Sequence, residues 1–398
     1  MNKKEKISLL SLIVLLGFSI AVFYHYFFGT YLGNGYPVNT FLFRPRDCFS
    51  DFTSMFFSMA DYNPYLGMPP TSTQTMLPFL FAIEYIFIIL KPFFSFLIFL
   101  FSFLAIFAYI VHKNIKMGEK ASDFMNMFVI CFLSYPFLLS VDRLNIEVLC
   151  LFALYFSISS YANNKFWFSA VLLGLAISMK PFPAVFILLF LSDKKYRQVL
   201  LILGMVFVLN FVALASFKGA IGANWERFVF NLGLYKQAYV IGNEGLYFGH
   251  SLFGFLKTIL VIAQKRFQLP YFVSPYMAFS LVCAGFIALY VLIVEKTFWK
   301  KILLLVCCME LFPYVSGDYR LMYFYIPLLF FINAPGNKLF DRAFIILFAL
   351  LLIPKNYWRY ALEPELSLSV LVNPIIIVSL LILSIVSSVK KQKEAAEA

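Results

Sequence analysis

Long apolar runs alternate with short polar breaks along almost the whole chain. A bilayer core about 30 Å thick takes roughly 20 residues of helix. On that measure the pattern predicts spans at 7–28, 93–112, 124–140, 146–161, 167–179, 181–192, 198–217, 272–294, 302–316, 321–333, 343–354 and 370–388. Several of these are short. The pair 167–179 and 181–192 is divided by Lys180-Pro181-Phe182-Pro183. Two prolines stop a helix, so a tight hairpin is expected there and the count is soft by about two. The expected fold is all-α: one polytopic integral membrane domain over residues 1–398, with about 12 transmembrane helices.

The polar breaks set the orientation. One set of span ends carries Lys3, Lys4 and Lys6, then Lys113, Lys116 and Lys120, Lys165, Lys194, Lys195 and Arg197, Lys296, Lys300 and Lys301, Lys338 and Arg342, and Lys390, Lys391 and Lys393. The short turns of the other set hold Arg143, Lys180 and Arg320. Lysine and arginine concentrate in short cytoplasmic loops, so the first set is read as cytoplasmic, with both termini inside. The outer side then receives the long segments. The first outer loop, 29–92, runs through 29–76 into an apolar helix at 77–90 that Lys91-Pro92 interrupts; interfacial helices are expected in it. A larger loop covers 218–271, and a third segment covers 355–369. Within the larger loop, 251–264 has the pattern of an amphipathic helix lying along the membrane surface.

Composition removes the soluble alternatives. Apolar residues make up 62% of the chain and charged residues 13%, against about 45–50% and 25% in soluble domains. The apolar run from Ile7 to Phe28 is too long for the core of a cleavable signal and is read as a first helix that stays attached. The net charge of +12 does not mark a nucleic-acid partner, because the basic residues follow the positive-inside distribution. Five of the six cysteines, Cys131, Cys150, Cys283, Cys307 and Cys308, lie in apolar runs, and Cys48 alone is in a polar loop. That spacing fits neither a disulfide framework nor a metal site. Neither a phosphate-binding glycine loop nor a dinucleotide fingerprint is present.

Candidate chemistry collects at the outer breaks. Asp47 and Asp51, in Arg44-Pro-Arg-Asp-Cys-Phe-Ser-Asp51, are four apart and share a face on a helix. Paired carboxylates at membrane depth can supply a general base; a solvated loop helix with Arg44 and Arg46 as partners explains them equally. Asp142-Arg-Leu-Asn-Ile-Glu147 places charges at a span junction, where ionisable residues are functional candidates. An Asp142–Arg143 pair, with Asn145 or Asp142 capping the next helix, is the plainer account. Lys180 between two short helices suits a phosphate or simply snorkels. His250, after Gly249, can relay protons or donate to a phosphate, or be a surface histidine. Asp318 and Arg320 can pair and do nothing else. Glu84 and Glu310, in apolar runs, are further candidates for buried partners.

These residues carry a resemblance. The run Asn39-Thr-Phe-Leu-Phe-Arg-Pro-Arg-Asp-Cys-Phe-Ser-Asp-Phe52, then Asn63-Pro-Tyr65 and a run containing Pro78, is similar to the first outer loop of multispanning GT-C type glycosyltransferases. Among them the chain most resembles glycosyltransferase family 87, the polyprenyl-phosphate-sugar-dependent, mannosyltransferase-like group. Asp142-Arg-Leu-Asn-Ile-Glu147 resembles that group's Arg-Gly-Asn-Ile-Glu element, with Leu144 where glycine is usual. Gly174-Leu-Ala-Ile-Ser-Met-Lys-Pro-Phe-Pro183, His250-Ser-Leu-Phe253 and Asp318-Tyr-Arg-Leu321 followed by Pro327 also resemble recurring elements; the likeness runs from about Asn39 to Phe331.

The resemblance implies a membrane glycosyltransferase that moves a hexose, with mannose the first choice, from a polyprenyl-phosphate-linked donor to a lipid-linked or glycan acceptor. It implies an inverting reaction on the outer face, in a bacterial inner membrane, with membrane lipids as surroundings. Carried over, Asp51 is the general base and Asp47 its neighbour or substitute. Lys180, assisted by Arg143 or Arg320, neutralises the leaving polyprenyl phosphate, while Asn145, Glu147, His250 and Asp318 orient sugar hydroxyls or fix the site. No Asp-x-Asp pair occurs, so no cofactor and no divalent metal is indicated. A flippase or other transporter of lipid-linked glycans would gather polar groups at mid-membrane, and the spans here are nearly free of charge at their centres. A surface-polysaccharide polymerase or ligase shares the substrate class; the 218–271 loop, with Arg227, Arg266 and His250, is a modest match for one.

Overall fold

The computed structural model describes residues 1–27, 48–58, 63–65, 75–115, 121–246, 248–355, 359–360 and 366–397. Arg44, Arg46 and Asp47 lie outside them. In chain order the helices are α1 (Lys3–Tyr26), α2 (Ser50–Ser58), α3 (Pro78–Ile89), α4 (Pro92–Ile115), α5 (Ala121–Phe132), α6 (Tyr135–Arg143), α7 (Glu147–Ala162), α8 (Phe166–Met179) and α9 (Ile187–Ser192). They continue as α10 (Tyr196–Ser216), α11 (Ile221–Tyr235), α12 (Leu252–Ile262), α13 (Leu269–Leu289), α14 (Phe298–Leu311), α15 (Tyr325–Asn333), α16 (Lys338–Leu352) and α17 (Leu368–Glu397). Among the described residues, the one strand pairing is the two-residue antiparallel pair of Arg359–Tyr360 with Leu366–Ser367.

Among the described residues, five helical segments are long and apolar enough to cross a membrane: Lys3–Tyr26, Pro92–Ile115, Tyr196–Ser216, Arg266–Val294 and Leu368–Lys390. A sixth arises if Ser122–Phe132 and Tyr135–Arg143 count as one span, although they bend by 53°. The expected single span 124–140 is therefore broken. Pro136 sits in the first turn after the break, where its missing N–H and fixed φ suit a helix start and not a continuation. The other expected spans are shorter helices, from 6 residues in α9 to 16 in α7, so individual lengths do not reach the expected dozen. The segment read as the 218–271 loop holds α11 and α12. In α12 the lone charged residue, Lys257, is buried and donates to the Glu244 carbonyl at 2.7 Å.

The chain forms two compact units. The first comprises Met1–Arg46, Phe107–Asp142 and Asn243–Ala398; the second comprises Asp47–Ile106 and Arg143–Gly242. In the first unit, α14 is buried on nearly every face from Trp299 to Leu311, as a helix apolar all round must be. It packs against α13, α15 and α17. In the second unit, α7 packs on α8, and α10 packs on both α8 and α3. A second core there gathers Tyr65, Phe81, Leu214, Phe217 and Phe228.

Helix α3 is fixed at both ends. Leu77, its N-cap, offers no side-chain acceptor; instead Asn210 of α10 accepts the Phe79 N–H at 3.1 Å, satisfying one of the donors a helix start leaves open. At the other end the Ser95 hydroxyl donates to the Phe87 carbonyl. Ahead of α3, the Asn63 side chain donates to the Lys218 carbonyl and to Asn224 Oδ1, the latter at 2.7 Å, while its own Oδ1 accepts from the Tyr65 N–H at 3.0 Å. The Tyr65 ring then packs edge-on to Phe81, Phe217 and Phe228.

Candidate functional site

Asp51 lies in the first turn of α2. The next residue, Phe52, is 3% exposed and packs against Phe87, Phe96 and Phe99 of α3 and α4. That aromatic anchor fixes the rotation of α2 and so the direction of Asp51. One Asp51 carboxylate oxygen pairs with the Arg143 guanidinium; the other accepts from Asn145 Nδ2 at 2.8 Å. Both groups are partly accessible, with Asp51 22% and Arg143 18% exposed at the side chain. The expected Asp51 partners, Arg44 and Arg46, are not described, whereas Arg143 was placed in a different cluster.

The turn that delivers Arg143 and Asn145 is unusual. Leu144 between them has φ 47° and is fully buried. A bulky residue in the left-handed region is rare and costs roughly 1–2 kcal/mol. The backbone shape that glycine would supply is thus adopted by leucine, held by its burial. Phe49, just before α2, has φ 59°, so both segments meeting at Asp51 carry left-handed residues. Such outliers cluster where structure over-determines geometry for function. Asn145 serves twice: its Oδ1 accepts the Glu147 N–H at 2.8 Å at the start of α7 while its amide donates to Asp51. Capping and site-building are one side chain's work.

Glu147 leads to Lys180. Their charged atoms are 3.9 Å apart, with side-chain exposures of 6% and 17%. Lys180 ends α8 in an extended conformation, φ −144° and ψ 136°, which Pro181 imposes on the residue before it. A short 3₁₀ turn, Phe182–Phe186, follows. The Lys180 charge also reaches Glu84, which is 3% exposed on α3. Asp51, Arg143, Asn145, Glu147, Lys180 and Glu84 all belong to the second unit. Two ion pairs stand among them: Asp51–Arg143, and a looser Lys180–Glu147 pair at 3.9 Å.

His250, Asp318 and Arg320 belong to the first unit, in a closed network of their own. Gly249 positions the imidazole. Its φ is 129°, and a Cβ there would lie 2.9 Å from the Ser316 carbonyl oxygen. The His250 N–H donates to that same oxygen at 3.0 Å. His250 Nε2 is 3.0 Å from Glu310 Oε2, and Nδ1 faces Asp318 Oδ1 at 3.5 Å. Arg320 bonds Glu310 Oε1 at 3.3 Å. Asp318 also accepts from Tyr135 Oη at 3.1 Å, the Gly249 N–H at 3.1 Å and Asn373 Nδ2 at 3.4 Å. His250, Glu310 and Asp318 are wholly buried, and Arg320 is 4% exposed. Burial depresses the imidazole, but the hydrogen bonds and charges of Asp318 and Glu310 outweigh it and raise its pKa above the usual range. Nearby Lys355, donating to the Leu350, Leu351 and Ile353 carbonyls, is pushed down to about 7 by burial, against a smaller upward pull from Asp318.

The eight described candidates thus divide. Five come together around Asp51 and Lys180; three join Glu310 in the buried network; Asp47 lies outside the described residues. Glu84 and Glu310, expected from the sequence as buried partners, are both buried, and Glu310 pairs with His250 and Arg320. Sequence reasoning passed over Asn373, Lys355 and Tyr135, of which only Asn373, a polar residue in an apolar run, carried a visible signal. Among the described residues, no three His, Cys, Asp or Glu side chains group as metal ligands.

The model of glycosyltransferase family 87 matches residues 67–316. The match covers well over half of the chain and takes in Arg143, Asn145, Glu147, Lys180 and His250, so the chain belongs to that family. No curated protein and no solved structure matches it.

Proposed function

We propose that this member of glycosyltransferase family 87 transfers a hexose from a polyprenyl-phosphate-linked donor to a lipid or glycan acceptor, on the non-cytoplasmic face of a bacterial inner membrane. One observation carries the reading: Asp51 is held by Arg143 and Asn145 beside the Lys180–Glu147 pair, all within one compact unit. That is a base on α2 and a cation at the end of α8, the two groups an inverting glycosyl transfer uses.

In this reading the acceptor hydroxyl attacks the sugar's anomeric carbon from the face opposite the phosphate. The new C–O bond forms as the bond to the phosphate oxygen breaks, and its electron pair leaves with the polyprenyl phosphate. The hydroxyl proton goes to Asp51. Arg143 and Asn145 each engage one carboxylate oxygen, but each oxygen has a second lone pair to receive the proton. A carboxylate serves as the base because an oxocarbenium-like transition state makes the attacking hydroxyl acidic late in the reaction. Lys180, loosely held by Glu147, turns to the departing phosphate. Such preorganised charge is usually the largest catalytic contribution. Asp47 is the neighbouring carboxylate in this scheme. His250, Asp318 and Arg320, buried in ion pairs that run through Glu310 and Asp318, hold the first unit together.

The test is transfer by purified, reconstituted protein from radiolabelled polyprenyl-phosphate-mannose and polyprenyl-phosphate-glucose to a membrane lipid extract. Product from wild type and none from a folded Asp51→Asn variant is expected. Wild-type protein that moves lipid-linked glycan across the bilayer without forming product overturns the reading in favour of a flippase.

A further inference from the structure

Helix α11 presents an apolar stripe that the other described residues leave exposed. Its 15 residues include Asn224, Glu226, Arg227 and Asn231, too polar and too short for a crossing. At about 100° per residue, Ile221, Trp225, Val229 and Leu232 fall within an arc of roughly 80°. They are 39%, 54%, 48% and 42% exposed. The adjoining face, centred about 90° round the helix, is buried through Asn224, Phe228 and Asn231.

The stripe's surroundings identify its occupant. Residues 217–220 alone separate α11 from α10, a helix long and apolar enough to cross a membrane. That short connection keeps the start of α11 at the bilayer surface. Lys218 and Lys236, both exposed, stand at the two ends of the stripe. Lysines flanking an apolar face, with an aromatic residue within it, are the pattern of a helix lying in the interfacial plane.

We propose that α11 rests on the membrane, with Ile221, Trp225, Val229 and Leu232 in the acyl boundary and Lys218 and Lys236 on headgroup phosphates. The consequence reaches the second unit's core. The protein side of α11 carries the Asn63-Pro64-Tyr65 element: Asn224 Oδ1 accepts from Asn63 at 2.7 Å, and Arg227 Nε donates to the Tyr65 carbonyl at 3.1 Å. Tyr65 in turn packs on Phe81 of α3. A lipid-bound α11 therefore fixes the depth of that element relative to the bilayer. This inference does not depend on the transfer reaction.

The test uses the unaltered protein in phosphatidylcholine–phosphatidylglycerol vesicles containing a lipid-soluble, photoactivated carbene probe, read by peptide mass spectrometry. Exposed Phe207 and Phe211 of α10, at 69% and 52%, serve as the internal standard. Label is expected on Ile221, Trp225, Val229 and Leu232 at a density comparable to α10, and not on Asn224, Phe228 or Asn231. A Trp225→Glu variant, which gives up the ring contact with Phe228 at 5.6 Å between centroids, should lose label at Val229 while α10 keeps its own. An unlabelled 221–235 peptide beside a labelled α10 overturns the proposal. Cross-linking between copies through this face does so too, since the occupant would then be a second copy.

Discussion

Replacing Glu310 by alanine separates the two charged clusters by their work. Glu310 is wholly buried and is the hydrogen-bonding partner of both His250 and Arg320. Its removal leaves a fully buried imidazole and a 4% exposed guanidinium without their common counter-charge. Removing one member of a buried ion pair costs about 3–5 kcal/mol, because the remaining charge keeps its desolvation penalty. The expected drop in apparent unfolding temperature is on the order of 4–6 °C. It can be followed in detergent by near-ultraviolet dichroism and by the retained fraction on size exclusion after heating. The comparison variant is Asp51→Asn. Asp51 and Arg143 are accessible enough for solvent to screen them, so that pair is worth at most about 1 kcal/mol, and Asp51→Asn should unfold within about 2–3 °C of wild type while losing transfer. Residual folded Glu310→Ala protein should keep its transfer rate per folded molecule. Wild-type stability in Glu310→Ala combined with lost transfer would refute the division, and would move His250, Glu310 and Arg320 into substrate handling.

Four further outcomes follow from the same geometry. His250 has a raised pKa, so its contribution to stability is complete below about pH 6.5, the unfolded value, and is lost as pH rises through the higher folded value; thermal scans across pH should show that decline, and His250→Gln should remove it. Lys180→Gln should lower the transfer rate by about 10²–10³, with the unfolding temperature nearly unchanged, as read in the reconstituted assay. Asn63→Ala strands Asn224 Oδ1 in a buried setting and should cost about 1–3 kcal/mol, measurable as a thermal shift. Leu144→Gly relieves roughly 1–2 kcal/mol of left-handed strain but deletes a fully buried leucine worth about 2–5 kcal/mol; the variant should be less stable, with transfer per folded molecule retained.

What the chain discloses before folding is what depends on local pattern. Helices α1, α4, α10, α13 and α17 follow from apolar runs of spanning length. The end of α8 at Lys180 follows from Pro181, which acts on its immediate neighbour. The bend between α5 and α6 depends on Pro136, whose effect an unbroken apolar run from 124 to 140 disguised. The interior character of α14 was not legible, because an apolar run reads the same whether lipid or protein surrounds it. The site shows the same limit more sharply. Four-residue spacing suggested that Asp51 works with Asp47, yet its described partners are Arg143 and Asn145, 92 and 94 residues away. No local period encodes such a pairing; it arises when Phe52 docks among Phe87, Phe96 and Phe99 and turns α2 toward the α6–α7 turn.

Leu144 shows where a departure from pattern is informative. In the resemblance, glycine is usual at that place, and leucine there put the turn's shape in question. The turn keeps a positive φ nonetheless, at an energetic cost that leucine offsets through complete burial. Sequence identity at the position changed while the backbone requirement did not. That requirement is what sets Arg143 and Asn145 on the same carboxylate, so the conformation of this turn, and not the residue that adopts it, is the feature to which the Asp51 chemistry is tied.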